Sequence, residues 1–428
     1  MKKSYVFAGA SGRAQGMFLK PMSTEYADYC ELRGIYDINP GRARLLGERF
    51  GIPAYGDFET MIRETRPDIV VVTTVDAYHS DYIIKAMELG CDVLTEKPMT
   101  IDAARCNAIL ETEKRTGRHV TVSFNYRFAP FMSKIKELLM AGTIGDIFSV
   151  HFEWLLDRNM DVQAHGTSYF RRWNSRMCMS SGLLVHKSTH HFDLVNWWLQ
   201  DKPSRVSAFN WWIGQKPQSV SAFAKLNLYG LPGREKYAHG MHGENCRSCA
   251  YAAECPFCYR LTEEEQRLYA DNEKYDGYFK DGCVYADDID IYDTMAVTVQ
   301  YDGGAVMSYS LNATCAYEGW RIVINGSKGR LEAFLPETGP LFDEEKDLIR
   351  VFDLDNHVTD YPVLKGLGGH GGGDHALHEM LFVGGKDDPL GLCAGTSDGA
   401  YSIIIGAAAN LSIKEHRVVD IKDLLTEI

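Results

Sequence analysis

Lys97 stands between Glu96 and Pro98, directly after the apolar run Cys91 to Leu94. Proline holds its own φ at about −65° and restricts the residue before it, so this lysine is aimed where most strand-end lysines would swing in solvent. A lysine whose pKa is lowered by burial or by neighbouring cations can take the proton of a hydroxyl near neutral pH. His186, His190 and Asp193 follow at i, i+4 and i+7. On a helix these three share one face, while Phe192, Val195 and Leu199 can pack on another. Two histidines four apart plus an acid could also hold a divalent metal, but no water-activating partner stands beside them. Proton transfer by Lys97 and His190 is the chemistry this set suits.

A second group points to a nucleotide. Gly9-Ala10-Ser11-Gly12-Arg13-Ala14 follows the apolar run Tyr5 to Ala8 and is a variant of the dinucleotide fingerprint, with Ser11 and Ala14 where the usual pattern has glycine. Glycines there allow a tight turn and close approach to a pyrophosphate at a helix N-terminus. Asp37 lies 23 residues beyond Ala14, near the spacing of the carboxylate that takes the adenosine ribose hydroxyls. An acid there repels a 2′-phosphate, so NAD is expected before NADP, with Arg42 and Arg44 leaving NADP some room.

These residues need a frame. Tyr5 to Ala8, Leu32 to Ile38, Asp68 to Thr73, Cys91 to Leu94 and Val120 to Phe124 read as strands alternating with helix-like segments, the pattern of a parallel, doubly wound sheet. Asn39-Pro40 opens the helix Gly41 to Phe50 and Gly51 stops it; His79 to Leu89 is stopped by Gly90. Pro21 interrupts the helix expected after Gly12, which should be short or broken. Strand ends on the carboxyl side of such a sheet converge on one crevice. They bring Thr73, Thr74, Val75, Asp76, His79, Glu96, Lys97 and Asn125-Tyr126-Arg127 to the cofactor.

Pro130 to Met140 reads as a linking helix. After it, alternating segments (Ile147 to Trp154, Arg205 to Trp212, Ala222 to Leu228, Met295 to Tyr301, Ala305 to Leu311, Arg321 to Asn325) predict a large, mostly antiparallel sheet. A helix is expected from Ser397 to Leu411. The expected division is an NAD-binding Rossmann domain over 1–126 and an α+β substrate and oligomerisation domain over 127–428, with a cysteine-rich insert near 237–288.

The chain resembles the Gfo/Idh/MocA oxidoreductase family, the group of glucose-fructose oxidoreductase and inositol dehydrogenase. The resemblance rests on the glycine turn, Asp37, Glu96-Lys97-Pro98, Asn125-Tyr126-Arg127-Phe128, His190 to Asp193 and Gly326-Ser327-Lys328-Gly329. It implies that Lys97 contacts the substrate hydroxyl, that His190 serves as acid or base, and that Asp193 belongs to the same helix motif. The family's usual Asp-x-Gly-x-His is here His186-Lys187-Ser188-Thr189-His190, so His186 replaces an aspartate that tunes the proton relay.

The expected cofactor contacts are therefore Gly9, Ser11, Gly12, Arg13, Asp37, Thr74, His79, Glu96, Lys97 and Asn125. Expected substrate contacts are Tyr126, Arg127, His191, Arg172 and Trp173, with His370 and Asp374 from the glycine-rich loop Gly366 to Gly373 and its flank. The expected activity is NAD-dependent oxidation of a secondary hydroxyl of a sugar, glycoside or cyclitol. Two alternatives stay open: redox-neutral glycoside cleavage through transient oxidation, and a non-catalytic NAD-binding regulator.

Cys246-x2-Cys249-x5-Cys255-x2-Cys258 places four thiols in thirteen residues. Paired Cys-x-x-Cys knuckles suit a structural zinc, although the gap between them is shorter than the common ribbon spacing, and reduced thiols are the alternative. The chain has 428 residues, 45 basic against 58 acidic, and a formal charge of −13 without a basic block. That balance argues against nucleic-acid and anionic-membrane partners. No signal or spanning segment is evident and 11 cysteines suit a reducing compartment, so a cytoplasmic protein is expected, as a homodimer or homotetramer.

Overall fold

The computed structural model describes residues 2–158, 165–199 and 215–425. Strands β1 (Lys3–Ala8), β2 (Cys30–Tyr36), β3 (Ala54–Tyr55), β4 (Ile69–Val72), β5 (Asp92–Thr95) and β6 (Val120–Val122) form a parallel sheet in the order β3-β2-β1-β4-β5-β6. Helices cover both faces, which is why Val70, Val71 and Val72 are all fully buried. The strand order reverses between β1 and β4, and that switch point opens the crevice at the carboxyl ends of the strands.

Local punctuation acts as its chemistry requires. The Asn39 side chain accepts from the N–H groups of Gly41 and Arg42 at the start of Pro40–Phe50, and Gly51 ends that helix at φ 65°. Pro21, lacking an N–H, coincides with an irregular first helix: a π turn over Ala14–Leu19 passes into a single α turn over Lys20–Ser23.

The second sheet has nine strands: β7 (Ile147–Asp157), β8 (Pro217–Lys225), β9 (Thr294–Tyr301), β10 (Val306–Cys315), β11 (Gly319–Gly326), β12 (Gly329–Pro336), β13 (Lys346–Asp353), β14 (Val358–Leu364) and β15 (Val419–Asp420). Their order is β14-β13-β12-β11-β7-β10-β9-β8-β15; β7 and β10 run parallel and every other pair antiparallel. Arg205 to Trp212, expected as a strand, lies outside the described residues. The inner face buries Trp154 and Trp320 beneath the helices Thr189–Leu199 and Thr396–Glu415, the first of which carries the buried Trp197 and Trp198. Among the described residues no helix is long and apolar enough to cross a membrane.

One expectation changes here. His186, His190 and Asp193 do not share a helix face, because His186 ends a one-turn helix, Leu183–His186, and a new helix starts at Thr189. The break is held by tertiary hydrogen bonds: Ser188 Oγ lies 2.9 Å from the Tyr309 hydroxyl and Thr189 Oγ1 lies 2.8 Å from Ser402 Oγ.

Asp193, expected in the catalytic set with His190, and Arg127, expected against substrate, are paired with each other. Arg127 Nε donates to Asp193 Oδ2 at 2.8 Å, and its terminal nitrogens donate to Asp193 Oδ1, Asp398 Oδ1 and the Gly391 carbonyl. Both side chains are 2% exposed, so this pair ties the turn Asn125–Phe128 to two helices of the second sheet. Truncating Asp193 leaves the buried Arg127 guanidinium with Asp398 as its remaining carboxylate partner. Asp193→Ala is expected to lower the unfolding free energy by about 3–5 kcal/mol in urea titrations, with no comparable loss for an exposed pair such as Arg350–Asp360.

Candidate active site

The strand-end loops bring Glu96-Lys97-Pro98 beside Asp76 and Asn125. The Lys97–Pro98 peptide is cis. His79 lies between these loops, its Nδ1 2.8 Å from the Pro98 carbonyl and its Nε2 3.1 Å from the Thr74 carbonyl, and its ring N–H donates to a carbonyl. Both nitrogens face protein carbonyls, so His79 joins two loops of the crevice where a cofactor contact is expected from sequence.

Lys97 Nζ donates to the His186 carbonyl at 3.0 Å. Burial and the neighbouring Lys187 ammonium lower its pKa to about 7, against the pull of Asp76 and Glu96. Asp76, at the first turn of the helix Asp76–Glu88, lies 2.6 Å from His186 Nδ1 through Oδ2, so carboxyl and ring share one proton. Burial raises the Asp76 pKa and lowers that of His186. Trp173 and Tyr169 pack edge-on against His186 at 5.4 and 5.5 Å, and the Arg172 guanidinium sits over Tyr169. Arg172 and Trp173 therefore stand beside this relay, where sequence expected substrate contacts.

His190 is 1% exposed, and neither ring nitrogen has a hydrogen-bond partner. Its ring meets Tyr126 at 4.7 Å and His370 at 6.1 Å, and burial followed by the Lys97 charge keeps it neutral. An unpaired polar ring at this depth is costly unless a ligand supplies the partner.

The glycine-rich loop does reach this point. His370 Nδ1 lies 3.0 Å from Asp374 Oδ1, and Asn125 Nδ2 donates to the same carboxylate at 2.5 Å. Burial would raise Asp374, but the His370 hydrogen bond and nearby positive charge hold it at about 2. Gly366 and Gly372 permit this loop because their backbones touch: a Cβ on Gly366 would meet Gly372 Cα at 2.7 Å. His191 turns the other way. It is stacked on Phe152, with Nδ1 2.7 Å from the Tyr309 hydroxyl, and is a core side chain instead of the expected substrate contact.

The nucleotide turn fits a dinucleotide. Gly9 has φ 108°, and a Cβ there would strike the Thr73 carbonyl carbon at 2.6 Å. Ser11 Oγ accepts from Ala14 N and donates to the Thr73 carbonyl. Arg13 Nε pairs with Glu96 Oε1 at 2.6 Å, linking turn and lysine loop. Asp37 directly follows β2 and accepts from Ala10 N and Asn39 N. Arg42 is held between Asp37 and Asp276.

That last contact belongs to the insert, which reaches the turn. Gly12 N donates to the Tyr269 hydroxyl at 2.8 Å, and Asn39 Nδ2 donates to the Asn272 carbonyl. The cysteine end of the insert does not form the zinc sphere expected from spacing: no three of its thiols come within 4.8 Å of one another.

Sequence spacing alone overlooked several site residues. Asp76 was placed at the crevice but given no role. Lys187 is 4% exposed, with its ammonium 4.6 Å from the Trp154 ring and 5.3 Å from Tyr126. Glu318 and Glu337 face it, and burial with the Glu318 charge raises Glu337 to about 7.

Residues 3–124 match the family model described as an oxidoreductase family with an NAD-binding Rossmann fold, and residues 136–421 match its C-terminal alpha/beta domain, both Gfo/Idh/MocA. YteT of Bacillus subtilis (strain 168), which bears an oxidoreductase name, is 38% identical over 99% of this chain and 98% of its own length. An inositol 2-dehydrogenase/D-chiro-inositol 3-dehydrogenase of Lactiplantibacillus plantarum is 24% identical over 42% of this chain and 48% of its own. The crystal structure of an Agrobacterium radiobacter oxidoreductase, in complex with NAD+, L-tartaric acid and magnesium, aligns with a TM-score of 0.65 at 16% identity, covering 99% of this chain and 100% of that one.

The Lys187 charge is one cause of the low Lys97 pKa. Lys187→Met should therefore move the ionisation of Lys97 upward from about 7. Amine-labelling rates at Lys97 against pH, read by peptide mass spectrometry, check this; an unmoved midpoint contradicts the coupling.

Proposed function

This chain belongs to the Gfo/Idh/MocA oxidoreductase family, and from that premise we propose that it oxidises a secondary hydroxyl of a sugar, glycoside or cyclitol with NAD. The observation that carries this reading is Lys97: an amine whose pKa is lowered to about 7, beside the neutral and unpartnered His190. A poised amine near neutral pH is suited to take a hydroxyl proton.

NAD, when bound, accepts the hydride. The turn Gly9 to Arg13 and Asp37 would hold it. Lys97 takes the substrate hydroxyl proton, and Asp76–His186 holds the adjoining shared proton and fixes the carbonyl that Lys97 Nζ bonds. His190 and the His370–Asp374 pair orient the sugar hydroxyls around the reacting carbon. Preference for NAD is supported by Asp37, and by Arg42 being pinned between two carboxylates where it cannot turn to a 2′-phosphate. Arg13 and Arg127 are likewise paired, which disfavours a highly phosphorylated substrate.

The outer face of the nine-stranded sheet, with Phe223, Val306 and Leu348 exposed, is the homo-oligomer surface in this reading; light scattering giving a monomer would remove it.

A glycoside and cyclitol panel with NAD should yield NADH. Lys97→Ala should lose roughly 10²–10⁴-fold in kcat while still binding NAD by fluorescence titration. Because the base form does the work, wild-type kcat/KM should rise with pH through about 7 and then level. Equal turnover by Lys97→Ala, or preference for NADP, contradicts the proposal. Aglycone release without net NADH identifies the redox-neutral alternative.

A further inference from the structure

The insert near 237–288 carries chemistry that hydride transfer does not use. Cys246, Cys249, Cys255, Cys258 and Cys283 all line one cavity of about 60 Å³, with Arg171 and Phe257. Cys283, 25 residues beyond Cys258, arrives because residues 244–246 pair with 281–283: Cys246 N donates to the Asp281 carbonyl at 2.9 Å and Cys283 N to the Glu244 carbonyl at 3.2 Å. All five are free thiols.

The backbone is folded around the sulfurs. Each Cys-x-x-Cys closes a tight turn, Cys249 N bonding the Cys246 carbonyl and Cys258 N the Cys255 carbonyl. Backbone N–H groups then point at sulfur: Tyr259 N at Cys246 Sγ (3.3 Å), Tyr251 N at Cys249 Sγ (3.4 Å), Tyr285 N at Cys283 Sγ (3.4 Å), and Phe257 N at Cys255. The Arg171 guanidinium adds a donor 3.2 Å from Cys246 Sγ. A neutral thiol is a weak acceptor, whereas thiolate sulfurs bound to metal are stabilised by such bonds.

The spacing of the sulfurs discriminates between metals. Zinc, with Zn–S bonds of about 2.3 Å, draws its four sulfurs to within roughly 4 Å of one another. Here no three thiols come within 4.8 Å, and a cavity lies between them. An iron–sulfur core takes the same thiolate ligands at wider separation and fills a volume that a single ion does not.

We propose that this cavity is an iron–sulfur site, ligated by Cys246, Cys249, Cys255 and one of Cys258 and Cys283. The site pins the fold of the insert whose Tyr269 meets the glycine turn. Its ligation is independent of the substrate reading, and no electron transfer is assigned to it.

The full chain, expressed with ample iron and purified without oxygen, should contain iron and acid-labile sulfide in equal amounts, about four of each per chain for a cubane cluster. It should show a broad visible absorption that bleaches with dithionite. Cys249→Ser should lose iron and absorption together, while Cys178→Ser, at an exposed cysteine outside the cavity, should keep both. Because the wild-type content is read directly, a Cys249→Ser chain that does not fold leaves the test intact. One zinc per chain without sulfide overturns the cluster. Metal-free protein in which Cys246, Cys249, Cys255, Cys258 and Cys283 all react with a thiol reagent overturns the site.

Discussion

Two ammonium groups, Lys97 and Lys187, share one largely buried wall, and most of the site follows from that constraint. A charge taken out of water must be paired or must lose its proton. Lys187 lies over the rings of Trp154 and Tyr126 and faces Glu318 and Glu337, so its charge has aromatic and acidic company. Burial lowers the Lys187 pKa as well, while Lys97, with a carbonyl as its hydrogen-bonded partner, is brought to about 7. Burial first, and then the same positive charges, suppress protonation of His186, His190 and His191, leaving neutral imidazoles around one lysine that titrates near neutrality.

The parallel sheet was legible because its signals are local. Apolar runs such as Ile69–Val72 are buried on both faces, and Asn39-Pro40 and Gly51 act through their own backbone geometry. The second sheet was legible where alternation is strict, as in β9, whose side chains alternate between buried and exposed. It was not legible at β14, an edge strand with no buried residue, where hydrophobic period carries no information. The helix over 186–199 misled for the opposite reason: the spacing was right for a helix, but Ser188 and Thr189 find hydroxyl partners elsewhere and the chain breaks between two helices.

Site residues divide along the same line. Lys97 could be placed from its proline, and His370 with Asp374 from the surrounding glycines, since each depends on neighbours in the chain. Lys187 and Tyr269 gain their places from aromatic rings or turns far away, as in the contact of Tyr269 with Gly12 across 257 positions. Spacing cannot encode such contacts. Asp193 shows the converse: a motif position whose carboxylate is bound to Arg127, a partner 66 positions away that the motif itself does not reveal.

The exchange at position 186 therefore relocates an acid without removing it. Where the resemblance implies an aspartate, His186 reaches Asp76 from 110 positions earlier, at 2.6 Å, so the carboxyl enters from the Rossmann side of the crevice. Lys97 still feels that negative charge, but the charge now rides on the helix Asp76–Glu88 while its histidine partner rides on the turn Leu183–His186. A short hydrogen bond between groups on two separate elements is lost with a displacement of about an ångström. Asp76 and Lys97 both sit on the nucleotide sheet, so what depends on how closely the two sheets are seated is the pair of contacts with His186: its ring to Asp76 and its carbonyl to Lys97 Nζ.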